Sequence, residues 1–451
     1  MKKKVIIIVI IILLLIAAAI GFLYFETDTF KNNEQKFWKY AQKNSESSNI
    51  FNDENIQSIK NRKANSSYRV NSTLIVNKDN NIYNISANTD AQNSNDLISF
   101  VDVLYNDTPI INFNVIKKSN LIGLKQDDLA NGYIAIKNNN IQELAKDLEI
   151  KDVTNIPNNI NWTSYIEVMY LAPSDVKYIT ETYVELLQKQ INKDNYSKEE
   201  SGIKIDDVIH TATGYKVSLT ERETKEVIQK LYKQLSEDSR TLNMISSKLK
   251  LLNLPSKYTE INYLSNRFSE QSSKLDSVEA SDNPYIEIIA YTENGELLQT
   301  NIKIKNDRAI KLIYSREKNQ FCIQQEKINK SASDESIYKF GLEYLKNIGQ
   351  VKLSNETSED KNKVSSKAYI ELFDKTVIEY NSRTEICESI EKNTDFEDST
   401  RIILNELTTE NLKKLYKAIQ NEIPKIYQKK KAIISENYED LQNSENQSDE
   451  T

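Results

Sequence analysis

The chain has 451 residues, of which 28% are charged and 39% hydrophobic, and its formal net charge is -7. An acidic surface lacks the cationic footprint that phosphate neutralisation requires, which argues against a nucleic-acid partner. The hydrophobic fraction and 25 tyrosines argue against wholesale disorder, and the length exceeds what one core usually organises, so two or more domains are expected.

Lys2, Lys3 and Lys4 precede an uncharged apolar run from Val5 to Phe25, long enough as a helix to cross a hydrocarbon core. Ala17-Ala18-Ala19 could be read as a signal-peptide cleavage site, but cleavage there would leave the apolar stub Ile20–Phe25. A retained anchor fits better. The lysines before the run and Glu26 and Asp28 after it set the N-terminus in the cytoplasm and the rest of the chain outside, in the cell membrane as a single-pass protein. Thr27 and Asp28 can cap a short juxtamembrane helix carrying Phe37, Trp38 and Tyr40, which either sit near headgroups or pack on the folded part. Residues 41–67, rich in Ser, Asn and Lys, read as a stalk.

Period-two alternation then predicts strands at 68–77, 81–89, 97–105, 110–118, 121–126 and 133–137. Their short connections can join only antiparallel neighbours, so a meander with one apolar face follows. Helices come next, to cover that face. They are marked by Asn140 and Glu143 at capping-box spacing, by Pro173 at a helix start, and by Thr220 and Glu223 ahead of a stripe of Val227, Ile228, Leu231 and Leu235. A second meander starts at Tyr285, with Asn294-Gly295 as its clearest hairpin. A helix with Ile337, Phe340, Tyr344 and Ile348 and a charged loop at 354–364 are expected after it. Near the end, "RIILNELTTENLKKLYKAIQ" repeats the strand, Thr cap and helix plan of the 215–235 segment, down to Lys-Leu-Tyr-Lys. That is either a second related module or a chance repeat in a Lys- and Leu-rich chain.

The expected fold class is therefore α+β: an N-terminal transmembrane helix, then antiparallel meander sheets packed with helices, in two modules. The divisions are 1–25 for the lysines and transmembrane helix, 26–67 for the juxtamembrane helix and stalk, 68–277 and 278–434 for the modules, and 435–451 for a disordered acidic tail.

The search for chemistry yields little. His210 is the only histidine, so no zinc pair exists, and Cys322 and Cys387 are too few for a disulfide framework. The Gly-rich, HExxH and GxSxG signatures are absent. Ser336-Ile337-Tyr338-Lys339 fits SxxK, but Ser174, Ser247, Ser315 and Ser358 head the same pattern, which is what composition alone produces. Asn77, Asp79 and Asn81 begin like a calcium loop but lack its Gly and its closing Glu. No enzyme activity, metal or cofactor is expected.

A curved antiparallel sheet with helices on its apolar face resembles, in element order, the half-barrel of lipoprotein carriers and related exported lipid-binding proteins. The stretches "FETDTFKNNEQKFWKYAQ", "NLIGLKQDDLANGYIAIKNNNIQELAKDLEI" and "GYKVSLTERETKEVIQKLYKQL" also resemble uncharacterised membrane-anchored extracytoplasmic proteins of Gram-positive anaerobic bacteria, a family known as a domain of unknown function. These resemblances imply an envelope protein and supply no catalytic signature. The expectation is a non-catalytic binding or interaction protein whose partners are the membrane and a lipid or envelope protein. An apolar ligand would lie between sheet and helices, walled by Ile111, Phe113, Val115, Ile302, Ile304 and Leu312, which are equally placed to be plain core. A structural or assembly role docking envelope partners is the alternative, and an envelope hydrolase with a polar cleft is a third.

Overall fold

In a computed structural model, the structure describes residues 31–46, 54–63, 65–79, 81–161, 168, 171–205, 208–305, 307–315, 320–328, 339–340, 347–358, 361–391 and 394–448. The expected membrane-spanning run lies outside these residues. Among those described, no helix is long and apolar enough to cross a membrane.

The first meander forms as the alternation requires: β1 (Tyr68–Lys78), β2 (Asn81–Asn93), β3 (Asp96–Tyr105), β4 (Thr108–Lys118), β5 (Leu121–Lys125) and β6 (Tyr133–Lys137). After two long strands, β7 (Tyr196–Ile205) and β8 (Val208–Thr220), the second meander runs through β9 (Pro284–Glu293), β10 (Glu296–Ile304), β11 (Arg308–Ser315) and β12 (Gln320–Lys327). It continues through β13 (Ile348–Thr357), β14 (Lys363–Leu372) and β15 (Val377–Ile386), and a three-residue β16 (Arg401–Ile403) ends the set. All sixteen belong to one sheet, in the order β16-β6-β5-β4-β3-β2-β1-β15-β14-β13-β12-β11-β10-β9-β8-β7. Every pairing is antiparallel except β16 with β6. Two pairings join what the alternation reads separately. β8 pairs β9 from Thr213↔Thr292 to Thr220↔Pro284, across residue 277, and β1 pairs β15 from Tyr68↔Ile386 to Asn77↔Val377.

Three expectations are corrected. Ile348 starts a strand rather than ending a helix, while Ile337 and Tyr344 lie outside the described residues. Within the expected charged loop at 354–364, residues 354–357 belong to β13 and 363–364 to β14, with Thr357 opposite Val364. Asn140 makes no side-chain cap, and the helix after it is held instead by backbone bonds from Leu144 N to Asn140 O and from Ile141 N to Asn158 O.

The helices among the described residues are α1 (Asn33–Glu46), α2 (Glu54–Lys63), α3 (Ile141–Asp147), α4 (Pro173–Gln190), α5 (Glu221–Glu237), α6 (Ser239–Leu251), α7 (Ile261–Asp276), α8 (Asp395–Asp398) and α9 (Thr409–Ser448). α2 occupies part of the expected stalk, and α9 runs on into the segment that composition reads as an acidic tail. The first copy of the repeated plan is thirteen-residue β8 inside the sheet followed by α5, whereas the second is the short edge strand β16 followed by α9. The two copies occupy unlike settings.

α1 starts at a reciprocal cap, with Gln35 N donating to Asn32 Oδ1 (2.8 Å) and Asn32 N to Gln35 Oε1 (3.1 Å). Its aromatics pack on the folded part and not at a headgroup layer. Tyr40 stacks on Tyr215, Phe37 meets Trp38 edge to face, and Trp38 Nε1 donates to Tyr196 Oη at 2.8 Å. α4, α6 and α7 share a core of Val176, Ile179, Tyr183, Leu242, Ile245, Leu249, Leu264 and Phe268. α5, begun by the Thr220–Glu223 capping box that the sequence predicts, seats Val227 against Val217, Leu219 and Ala290. Asp238 caps α6 through the amides of Arg240 and Thr241 (both 3.1 Å) and accepts hydroxyl bonds from Thr241 (2.7 Å), Tyr178 (2.9 Å) and Tyr183 (3.0 Å). Burial works to raise its pKa, and these donors outweigh burial and hold it below the usual aspartate value.

Replacing Asp238 by Ala leaves the buried Tyr183 hydroxyl without its acceptor and removes a helix cap. The expected cost is about 3 kcal/mol of unfolding free energy, against about 1 kcal/mol for Thr220→Ala, both read by denaturant titration.

Candidate functional site

Directly opposed residues in an antiparallel pair point to the same side, so the register assigns every side chain to one of two faces. One face carries Tyr215, Val217 and Leu219 on β8, and Ile286, Ile288 and Ala290 on β9. It continues through Ile302 and Ile304 on β10, Ile310 and Leu312 on β11, and Ile323 on β12. The same face passes to Val351 and Leu353 on β13, Ala368 and Ile370 on β14, and Ile378 and Tyr380 on β15. From there it crosses to Leu74 and Val76 on β1, Tyr83 and Ile85 on β2, Val101 and Val103 on β3, and Ile111, Phe113 and Val115 on β4. The six predicted wall residues therefore share one face of one sheet.

The structure treats them differently. Ile304 is fully buried beneath the helix layer with Leu275, Tyr285 and Phe340, and Ile302 and Leu312 pack against that cluster. These three are core. Ile111, Phe113 and Val115 are half-buried and belong to no core cluster among the described residues; Ile116 next to them points the other way, into a cluster with Tyr133, Ala135 and Phe396. β4 and β11 stand eight strand positions apart in the sheet order, roughly 38 Å along it at the usual strand spacing. The two triads do not meet at one wall.

Sequence reasoning passed over the stretch between them. On β13, β14, β15, β1, β2 and β3, the positions that share the apolar face, from Val351 to Thr357, Val364 to Ile370, Ile378 to Ile386, Tyr68 to Val76, Tyr83 to Ala91 and Leu97 to Tyr105, include no charged residue. The opposite face of the same strands holds Lys352, Lys367, Glu379, Arg383, Arg69, Asp90 and Asp102, with ion pairs such as Arg69 Nε to Asp90 Oδ1 at 2.7 Å. α2 touches the uncharged face, seating Ile59 on Val364 and Ile386. α9 comes against β4. The signal that could have found this stretch is the alternation in β13–β15, which is masked in the sequence because Asn355, Ser366, Ser382 and Thr384 stand where aliphatic residues would announce a strand.

The other candidate is polar. Between the first turns of α5 and the segment after α7 lies a cleft of about 710 Å³ lined by Glu221, Lys225, Glu226, Asp276, Ser281 and Lys339 among others. The buried Glu221 carboxylate accepts from Lys305 (2.9 Å), Lys339 (3.3 Å), and the amide (3.1 Å) and hydroxyl (2.8 Å) of Ser281. Burial pushes its pKa up, but the Lys305 and Ser281 hydrogen bonds prevail and hold it at about 2. Lys339, the lysine of the SxxK match, is thus engaged with a carboxylate, and Ser336 lies outside the described residues. Lys225 Nζ donates to the carbonyl of Val278 at 2.7 Å. These bonds tie α5, the end of α7 and β10 together. His210 Nδ1 lies 3.0 Å from Glu293 Oε2, a cross-strand pair outside this cleft. Among the described residues, no group of three or more His, Cys, Asp or Glu could hold a metal ion.

No known protein family and no curated protein matches the chain in sequence. Among solved structures it is similar to a LolA superfamily protein from Nitrosomonas europaea (8% identity, covering 74% of this chain and 95% of that one, TM-score 0.18). It is also similar to an outer-membrane lipoprotein-sorting protein domain from Vibrio parahaemolyticus (7%, 76% and 96%, TM-score 0.22) and to LprF from Mycobacterium bovis (11%, 60% and 91%, TM-score 0.14). Overlaps this small leave the sheet and its two faces as the basis for function.

The depressed pKa of Glu221 has a definite sign. Its stabilising contribution is complete above the unfolded value near 4.5 and is lost as pH falls toward about 2. Glu221→Gln should unfold at lower temperature than the parent at pH 7, and the difference should shrink as thermal melts are repeated down to pH 2.

Proposed function

We propose that the protein is a non-catalytic binding protein of the bacterial cell envelope that holds an apolar, lipid-like ligand against the uncharged face of β1–β3 and β13–β15. The observation that carries this reading is the partition of charge. Six adjacent strands place no ionic group on one face while their other face is densely ionic. A solvated sheet face normally carries polar and charged side chains, so a broad uncharged face calls for an apolar cover. At the β8–β11 end the cover is the helix layer. Farther along, half-buried Leu74, Val76, Val101, Val103, Ile111, Phe113 and Val115 are available to an acyl chain. The apolar run Val5–Phe25 holds the protein in the cell membrane with its N-terminus in the cytoplasm, which sets the binding face on the outer side, beside a supply of lipid.

The full chain, purified in detergent, is extracted with organic solvent and its lipids are identified by mass spectrometry. The control joins residues 1–30 to an unrelated soluble domain and accounts for lipid held by the apolar run alone. A stoichiometric neutral lipid above that control is the expected result, and an extract identical to the control's overturns the reading. Leu74→Lys, which places a charge on the face, should lose the lipid while its circular dichroism stays that of the parent.

A further inference from the structure

The two edges of the sheet are unlike. β16 has three residues, whereas β7 has ten and pairs only with β8. A long open edge recruits further strands, and proteins usually blunt one by shortness, by proline or by a covering helix. β7 contains no proline. α1 reaches its first residue, where Trp38 donates to Tyr196, but Lys198, Glu200, Gly202 and Lys204 stand exposed beyond it. Charge is the device that remains, and charge discriminates between partners.

The register decides which backbone groups the edge offers. Ile205 pairs with Val208 across a two-residue link, and the pair that flanks such a link exchanges its backbone bonds, so Ile205, Ile203 and Ser201 direct theirs to β8. Gly202, Glu200 and Lys198 alternate with them and direct theirs outward, where no strand lies among the described residues. Their side-chain face is the one that carries Ile209, at 76% the most exposed large hydrophobic among the described residues. Ile209 leans across Gly202: a Cβ at Gly202 would lie 3.7 Å from Ile209 Cγ2, in ordinary contact.

We propose that β7 pairs antiparallel with β7 of a second copy of this chain, about a twofold axis at Gly202. Charge selects this register. Centred on Glu200, the pairing sets that carboxylate against itself; centred on Ser201, it sets Lys198 against Lys204. Centred on Gly202, it sets Glu200 of each copy opposite Lys204 of the other, and the two glycines exchange their outward backbone bonds. Glycine opposite glycine leaves room for the two Ile209 side chains to meet above the axis and leave water. On the other face Ser201 falls opposite Ile203, so the two Ile203 side chains become diagonal neighbours. An axis normal to the sheet also keeps both α1 helices on one side, as two chains held in one membrane by the run proposed above require. The pairing does not depend on the lipid reading.

The full chain carrying Cys322→Ser and Cys387→Ser is given Gly202→Cys, Ser201→Cys or Glu200→Cys singly and oxidised in membranes. Facing Cα atoms in such a pair lie about 5.5 Å apart, within disulfide reach, whereas residues 201 and 200 lie more than about 7 Å from their own counterparts. Gly202→Cys should therefore crosslink to its own copy at least about tenfold faster than the other two. Sedimentation of the parent in detergent should show a reversible dimer. Lys204→Glu, which faces Glu200 of the other copy, should weaken it at least about tenfold, and Glu200→Lys combined with Lys204→Glu should restore it. Restoration by the swap excludes misfolding as the cause of the loss. A parent that stays monomeric, a dimer indifferent to Lys204→Glu, a folded double variant that does not regain the dimer, or equal crosslinking at 200, 201 and 202 overturns the proposal. Crosslinking of Gly202→Cys to a different protein and not to its own copy overturns it as well.

Discussion

The pairing of β1 with β15 is the constraint on which the rest depends. It joins residues 68–77 to residues 377–386 in continuous antiparallel register, and it turns two meanders into one sheet. Without it each meander would present a long unpaired strand edge, which is a template for aggregation. With it, the apolar face of the N-terminal strands runs without a break into the apolar face of the C-terminal strands. The helices between β6 and β9 then cover one end of that face, α2 sits on β14 and β15, and Leu74, Val76, Val101, Val103, Ile111, Phe113 and Val115 are left half-buried.

Charge follows the same plan. Carboxylates that are buried, such as Glu221 and Asp238, lie in the helix layer, where each receives several donors and ties separate elements together. Lysines and acids of the sheet lie on its other face, at the turns or at its ends. The central uncharged face receives none, and its only polar groups are neutral hydroxyls and amides. Desolvation explains the separation: an ion is tolerated where fixed donors or water surround it, and neither is offered by a broad apolar surface. A protein arranged in this way is suited to holding a neutral amphiphile and poorly suited to holding an ion.

Much of this was legible. The strands of the first meander agree with the alternation to within a few residues, and the Asn294-Gly295 turn, Pro173 at a helix start and the Thr220–Glu223 box stand where their chemistry puts them. Ile302 and Ile304 share a face of their strand, as do Ile111, Phe113 and Val115, as their spacing implies, while the common face of the two groups follows only from the pairings between them. What alternation cannot express is what lies over a face. The first triad is buried by helices distant in sequence, and the second is not. The strands β13–β15 escaped because Ser366, Ser382, Asn355 and Thr384 replace the aliphatic residues by which a strand is usually recognised. The residues that hid those strands are uncharged, so the face they share with the apolar positions carries no ionic group on these strands.

The sequence by itself determined the local structure and the side each residue faces, because backbone period and turn chemistry act over a few residues and need no distant partner. It also determined the acidic charge, the apolar N-terminal run and the lack of any recognisable catalytic motif. Only the tertiary structure decided that β1 meets β15 and that the apolar faces of the two meanders become one. Those outcomes depend on register between segments about three hundred residues apart, and register is settled by the cooperative pairing and burial of whole strands rather than by any local pattern.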